Sequence, residues 1–199
     1  MAQLSFYSAE ANPPARADLA GLLCGPGQLV SFGGVTARLS VTVADAWRGR
    51  ALVRALGERG VEATLYTCDG GLLVRTAFRA DLIRLAATWS NGDAQKVPPD
   101  GLALGGAALR LWALAAGGWT DGGYLLGLDP LVPDTHDRIA EALAGAGLPS
   151  ILYAGRETGP GLRISGRRRL ARLAELVGPP PLSAAESNWP AVSRVRQPA

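Results

Sequence analysis

The chain repeats itself. "VEATLYT", from Val61, matches "LPSILYA", from Leu148. "GLLVRTAF", from Gly71, matches "GLRISGR", from Gly161, and "LIRLA", from Leu82, matches "LARLA", from Leu170. The spacing is about 88 residues, too long for a solenoid unit. It predicts two halves about a pseudo-two-fold axis. Each half alone is marginal by size. One continuous domain over 1–178 follows, with half one at 16–90, a linker at 91–100 and half two at 101–178. The segment 179–199 is rich in Ser, Pro and Ala and reads as a flexible tail.

Hydrophobic periodicity assigns the elements within each half. "DLAGLL", from Asp18, reads as a short helix that stops at Gly25-Pro26-Gly27. "QLVSF" and "VTARLSVTV" flank Gly33-Gly34, and the second run alternates strictly between apolar and polar residues. That is a hairpin with one buried face. Asp45 caps a helix through Glu58, with Leu52, Val53 and Leu56 at helical spacing. "VEATLYTC" and "LLVRTAF" form a second hairpin around Asp69-Gly70-Gly71, followed by a helix from Arg79 to Trp89. After the polar stretch Asn91 to Asp100 the order recurs. It runs "GGAALRLWALAAGG", a poorer hairpin in "WTDGGYLLGL", a helix from Asp134 to Leu143, a hairpin around Gly155 to Gly161, and "RRRLARLAELV". Each half is therefore αββαββα, and the fold class is α+β.

Composition removes several function classes. His136 is the only histidine, and Cys24 and Cys68 are the only cysteines. A multi-histidine metal site, a structural zinc centre, a disulfide scaffold and a His-based triad all need more. No glycine-rich stretch ends in the Lys-Ser/Thr of a phosphate loop. The net charge of +3 is mild. Nineteen of the cations are Arg and one is Lys96, a bias that a GC-rich genome also produces. Residues Met1 to Ala11 have neither the basic start nor the apolar core of a signal peptide. The longest apolar stretch, Gly101 to Trp119, carries Arg110 at its middle and reads as a buried helix. A soluble, cytoplasmic protein with no membrane segment and no cofactor is expected.

"LAGLLCGPG", Leu19 to Gly27, and more loosely "LWALAAGGW", Leu111 to Trp119, resemble the central helices of the LAGLIDADG homing endonucleases. In that fold the two helices pack side by side, and Ala20, Gly21, Ala113, Ala115 and Ala116 suit such close contact. The series "GQLVSFGGVTARLSVTV", "GVEATLY" and "GLPSILYAGRETGPGLRISG" is similar to the WhiA family of actinobacterial and Gram-positive regulators. That family carries a degenerate LAGLIDADG domain. With 21 residues after Gly178, a chain lacking that family's C-terminal helix-turn-helix domain is expected.

The resemblance implies one carboxylate at the foot of each central helix, where two acids hold divalent metals. Here the first position falls on Pro26 and the second on Gly117 or Gly118. Neither offers a side-chain ligand, so a non-catalytic scaffold is expected. Asp121 lies a few residues downstream and reads as a turn residue before Gly122.

The resemblance also implies antiparallel sheets forming a saddle, with helices on the opposite face. Alternation turns Val35, Ala37, Leu39 and Val41, with Val61, Ala63, Leu65, Leu72 and Val74, toward the helices. Arg38, Thr64, Tyr66 and Arg75 then lie on the open face of half one, and Ile151, Tyr153 and Arg163 on that of half two. By the repeat, Tyr66 pairs with Tyr153 and Arg75 with Arg163. Leu125 and Gly127 stand where half one has Thr36 and Arg38. Arg fits phosphate or guanine, and Tyr can stack. Arg167, Arg168, Arg169 and Arg172 form a charge run at the opening of the last helix, against its dipole. Arg48, Arg50 and Arg54 read as outer-side residues. Trp112, Trp47 and Trp89 read as packing residues, Trp119 as a plug near the vacated acid, and Trp189 as docked or partner-bound.

Besides a residual nuclease that uses Asp121, two functions remain open from these residues. One is a WhiA-like, non-catalytic regulator of transcription or cell division that binds duplex DNA, or RNA, through the sheet face. The other is a scaffold whose saddle binds a protein of the transcription or ribosome machinery. A monomer suffices for either, because the duplication supplies the two-fold symmetry.

Overall fold

The computed structural model describes residues 8–68, 71–92, 95–155, 159–181 and 183–190. Asp69 and Gly70 of one expected turn, Asp93 and Ala94 of the linker, 156–158 in the last hairpin, and residues 1–7 and 191–199 lie outside the described residues.

Half one runs α1 (Ala20–Cys24), β1 (Gln28–Phe32), β2 (Thr36–Val43), α2 (Ala46–Gly57), β3 (Ala63–Cys68), β4 (Gly71–Thr76) and α3 (Ile83–Thr88). Half two repeats it as α4 (Gly106–Ala116), β5 (Gly117–Thr120), β6 (Gly123–Gly127), α5 (His136–Gly145), β7 (Ile151–Gly155), β8 (Gly159–Ile164) and α6 (Arg167–Val177). Short 3-10 turns lead into α1, α3 and α5. The two sheets have the same antiparallel order, β1-β2-β4-β3 and β5-β6-β8-β7.

The alternation of β2 sets the layers. Ala37, Leu39, Val41 and Val43 are buried against the helices, with Val74 of β4 beside them. Leu126, Leu162 and Ile164 do the same in half two. Between the sheets, α1 packs on α4, whose buried face carries Leu109, Trp112 and Ala113. The helices nearly touch. A Cβ on Gly21 would lie 1.8 Å from the carbonyl oxygen of Ala108, so only glycine fits there.

Five sequence expectations change. Val35 does not face the helices: it is 65% exposed, because Gly33 and Gly34 turn the chain with φ of 60° and 69° and β2 starts only at Thr36. Asp45 occupies the N-cap of α2, but its carboxylate accepts from Arg48 Nε at 3.2 Å rather than from a backbone amide. Arg48 is not on the outer side of α2. It is buried, for a reason given below.

The fourth change concerns sheet register. Arg75 lies between Ser40 and Thr64, and Arg163 between Leu125 and Ile151. Leu125 and Gly127 therefore stand at the places of Ser40 and Thr42, not of Thr36 and Arg38. The β5–β6 hairpin is shorter, with Asp121-Gly122 in its turn, so direct sequence alignment slips there.

The fifth is the tail. Ser183–Asn188 forms a 3-10 segment, and Trp189 is 1% exposed. Its indole donates to Gly178 O at 2.8 Å, while its own carbonyl and that of Asn188 accept from Trp119 Nε1 and Tyr124 Oη. A single large apolar ring with a backbone acceptor is enough to fix this stretch.

Candidate functional site

The feet of the central helices come together at one cleft of about 450 Å³, lined by Pro26, Asp45, Arg48 and Ala116 to Trp119 among others. Register identifies counterparts across it. Ser40 pairs with Gln28 as Leu125 pairs with Gly118. Gly27 and Gly117, one residue earlier, are thus equivalent, and Pro26 answers to Ala116. That is one or two residues before the Gly117 or Gly118 that the sequence suggested. A Cβ at Gly117 would meet Tyr124 Oη at 2.3 Å and Ala113 O at 2.5 Å. One at Gly27 would meet Leu22 O at 2.4 Å. Both chains turn from helix to strand with no room for a side chain.

Each helix foot carries a buried cation. Lys96 Nζ donates to Gly25 O at 2.8 Å, Gly27 O at 2.9 Å and Asp129 Oδ2 at 2.9 Å. Gln28 Nε2 donates to the same carboxylate oxygen. Arg48 donates to Ala113 O at 3.1 Å, Leu114 O at 2.9 Å and Gly117 O at 2.5 Å, and its guanidinium stacks on Trp47. Terminal helix carbonyls lack intrahelical donors and sit at the negative end of the dipole, so a cation satisfies both. Burial pulls the Lys96 ammonium below its ordinary pKa, and the Asp129 carboxylate opposes that shift. Beside it, burial pushes the Cys24 thiol up to about 12. Neither cation was legible as a cap: Lys96 lay in a polar linker and Arg48 on an apparently outer helix stripe.

A divalent metal does not fit this place. Pro26 and Ala116 carry no ligating side-chain atom, Arg48 engages Asp45, and Arg48 itself brings positive charge. Among the described residues no three His, Cys, Asp or Glu side chains form a metal-binding group. Asp121 sits in the β5–β6 turn, about 13 Å along the strand from Gly117 at ~3.3 Å per residue.

The open sheet faces carry the other candidates. Thr64 pairs with Arg75, and Ile151 with Arg163. Arg75 stacks over Tyr66 at 4.9 Å and Arg163 over Tyr153 at 5.3 Å. The expected Tyr–Arg sets are therefore brought together as two equivalent cation–π pairs. Arg163 also donates to Asp121 O at 3.4 Å. Arg38 stacks instead on Phe78, at 4.6 Å, and Phe78 meets Phe32 with ring centroids 5.6 Å apart. No motif or repeat match marks either phenylalanine in the sequence. Alternation alone puts Phe32 on this face, but only the fold brings Phe78 beside it. Arg167, Arg168 and Arg169 are exposed on the first turn of α6 and form no ion pair among the described residues. Trp119 packs edge-on against Tyr124 at 5.3 Å and anchors the tail.

Two superpositions place this architecture. A structure of the homing endonuclease I-WcaI bound to its DNA recognition sequence matches with a TM-score of 0.59, at 14% identity, over 89% of this chain and 83% of that one. The N-terminal LAGLIDADG domain of DUF199/WhiA matches with a TM-score of 0.53, at 12% identity, over 82% of each chain. The fold is a WhiA-like LAGLIDADG fold. The sequence itself matches no protein-family model and no curated protein. Within the LAGLIDADG fold, the paired sheets are the saddle and the Gly27 and Gly117 turns mark the feet of its central helices. No helix among the described residues is long and apolar enough to cross a membrane.

Proposed function

We propose that this chain is a non-catalytic nucleic-acid-binding protein that uses the open faces of its two sheets. The observation carrying the reading is the equivalent pair of Tyr–Arg stacks, Tyr66 with Arg75 and Tyr153 with Arg163. Two cationic, flat groups at related places suit a quasi-symmetric polyanion. The LAGLIDADG fold supports it, since I-WcaI is bound to its DNA recognition sequence in the matching structure. Arg167, Arg168 and Arg169 add further charge for phosphate contact.

The non-catalytic part rests on Pro26, Ala116 and the buried Arg48 and Lys96 at the helix feet. Following the likeness to WhiA, the setting we propose is regulation of transcription or cell division. A second reading is a protein-binding scaffold. Exposed Leu131, Ile151 and Leu152 in half two favour it.

Binding to labelled 30-mer duplex DNA and to RNA, followed by fluorescence anisotropy across a salt series, separates the two. Affinity that falls steeply with salt is expected. Replacing Arg75 and Arg163 together with alanine should weaken binding roughly tenfold and flatten the salt slope by about two. No binding at low salt leaves the protein scaffold. Magnesium-dependent nicking that disappears in Asp121→Ala overturns the non-catalytic assignment.

A further inference from the structure

The two open faces are not alike. Arg38 of half one answers to Gly123, each two residues before the strand residue paired with the equivalent arginine (Ser40 and Leu125), and Phe78 answers to Gly166, each three residues after that arginine. Phe32 has no counterpart strand residue, since the β5–β6 hairpin has already turned at Asp121-Gly122. Half one thus adds a second stack to the Tyr–Arg pair that both halves share. Its rings are open to solvent: Phe32 is 68% exposed, Tyr66 42% and Phe78 40%.

These groups form one track. Phe32 touches Phe78, Arg38 covers Phe78, and a trough of about 610 Å³ joins Arg38 and Phe78 to Thr64, Tyr66 and Arg75. Glu62 at its rim is the one acidic residue lining it among the described residues. The first sheet's open face otherwise offers rings, guanidinium planes, short hydroxyls, the Cys68 thiol and the aliphatic side chains of Val30 and Leu73. It carries no lysine and no asparagine, and Gln28 is tied to Asp129. Base edges inside a duplex are reached by long polar side chains in the grooves, and here both arginines are laid flat over rings, Arg38 on Phe78 and Arg75 on Tyr66. Flat rings and guanidinium planes instead take the faces of bases that have left the stack, while the cations hold the phosphates.

We infer that half one of the saddle is a binding site for unpaired nucleotides, with Phe32, Phe78 and Tyr66 as stacking platforms and Arg38 and Arg75 as phosphate contacts. The inference rests on the nucleic-acid reading above and names its substrate class. Half two, with glycines at the corresponding places, contributes phosphate contact through Arg163 but no added platform.

The test uses the full chain with two fluorescent probes, a mixed-sequence single strand of 20 nucleotides and the blunt duplex of the same sequence, at one fixed low salt. The single strand should bind at least tenfold tighter than the duplex. Phe32→Leu with Phe78→Leu keeps apolar area and removes the rings. It should weaken single-strand binding about tenfold and leave duplex binding unchanged. Both phenylalanines are exposed, and a thermal melt matching the wild type confirms that the fold is intact. Equal or tighter duplex binding, or single-strand binding that the leucine pair leaves intact, overturns the inference while sparing the nucleic-acid reading. Failure of both probes to bind overturns both, and the exposed phenylalanines are then a protein-docking surface.

Discussion

Lys96 and Arg48 bond equivalent carbonyl oxygens. The ammonium reaches Gly27 O at 2.9 Å and the guanidinium reaches Gly117 O at 2.5 Å, and hairpin register makes those glycines counterparts. The two cations come from unrelated places, one from the linker and one from α2. The same electrostatic need at two helix ends has been met twice by different residues.

Removing either cation should be costly. Lys96→Met leaves the buried Asp129 carboxylate without its cation, and Arg48→Met takes a charged donor from three carbonyls, of which Ala113 O keeps the Gly117 amide. Each change should lower stability by about 3 kcal/mol or more, the scale for breaking a buried charged network. Urea unfolding midpoints measure it, and a loss below about 1 kcal/mol would show that the helix ends do not depend on these caps.

The neighbouring glycines should respond unequally. Gly117→Ala forces a methyl against Tyr124 Oη and Ala113 O, whereas nothing lies within 4 Å of a Cβ at Gly118. The first should destabilise by about 2 kcal/mol and the second by no more than about 0.5 kcal/mol. Thermal melts of the two variants side by side decide it. Equal behaviour would mean the β5 entry relaxes freely.

The cysteines should differ in reactivity. Cys24 is fully enclosed and its thiol is pushed up to about 12, so at pH 8 it offers almost no thiolate. Cys68 is exposed. Iodoacetamide at pH 8 should add one label to the native chain, at Cys68, and two in denaturant, read by intact mass. Rapid native labelling at Cys24 would indicate opening of the α1 core.

Trp189 should act as a core residue despite lying near the end of the sequence. Trp189→Ala removes a ring that is 1% exposed and covered by Arg110 at 5.2 Å. A loss of about 3 kcal/mol is expected from the cavity. Calorimetric melting measures it, and an unchanged midpoint would show that the segment packs without contributing.

The duplication, the eight strands and the buried face of β2 were legible because periodicity and repeat are local or nearly local signals. The Tyr–Arg stacks followed from the same two-residue alternation. What stayed hidden depended on contacts distant in sequence. Lys96 lies 69 residues from Gly27, and Arg48 lies 69 from Gly117, so no window around either residue shows what it caps. The second helix foot was displaced because the shorter β5–β6 hairpin removes residues that alignment by eye does not. Trp189 gave no periodic signal at all, since one ring on a short 3-10 segment has no pattern to read.

Lys96 is the only lysine in the chain, and it is spent inside the fold. Every basic side chain on the surface is therefore an arginine, whose proton does not leave in the range where proteins stay folded. The arginine share of the outer positive field is thus fixed across alkaline pH. Amine-directed chemistry, whether acylation in the cell or an ester cross-linker on the bench, meets no exposed lysine with which to blunt it.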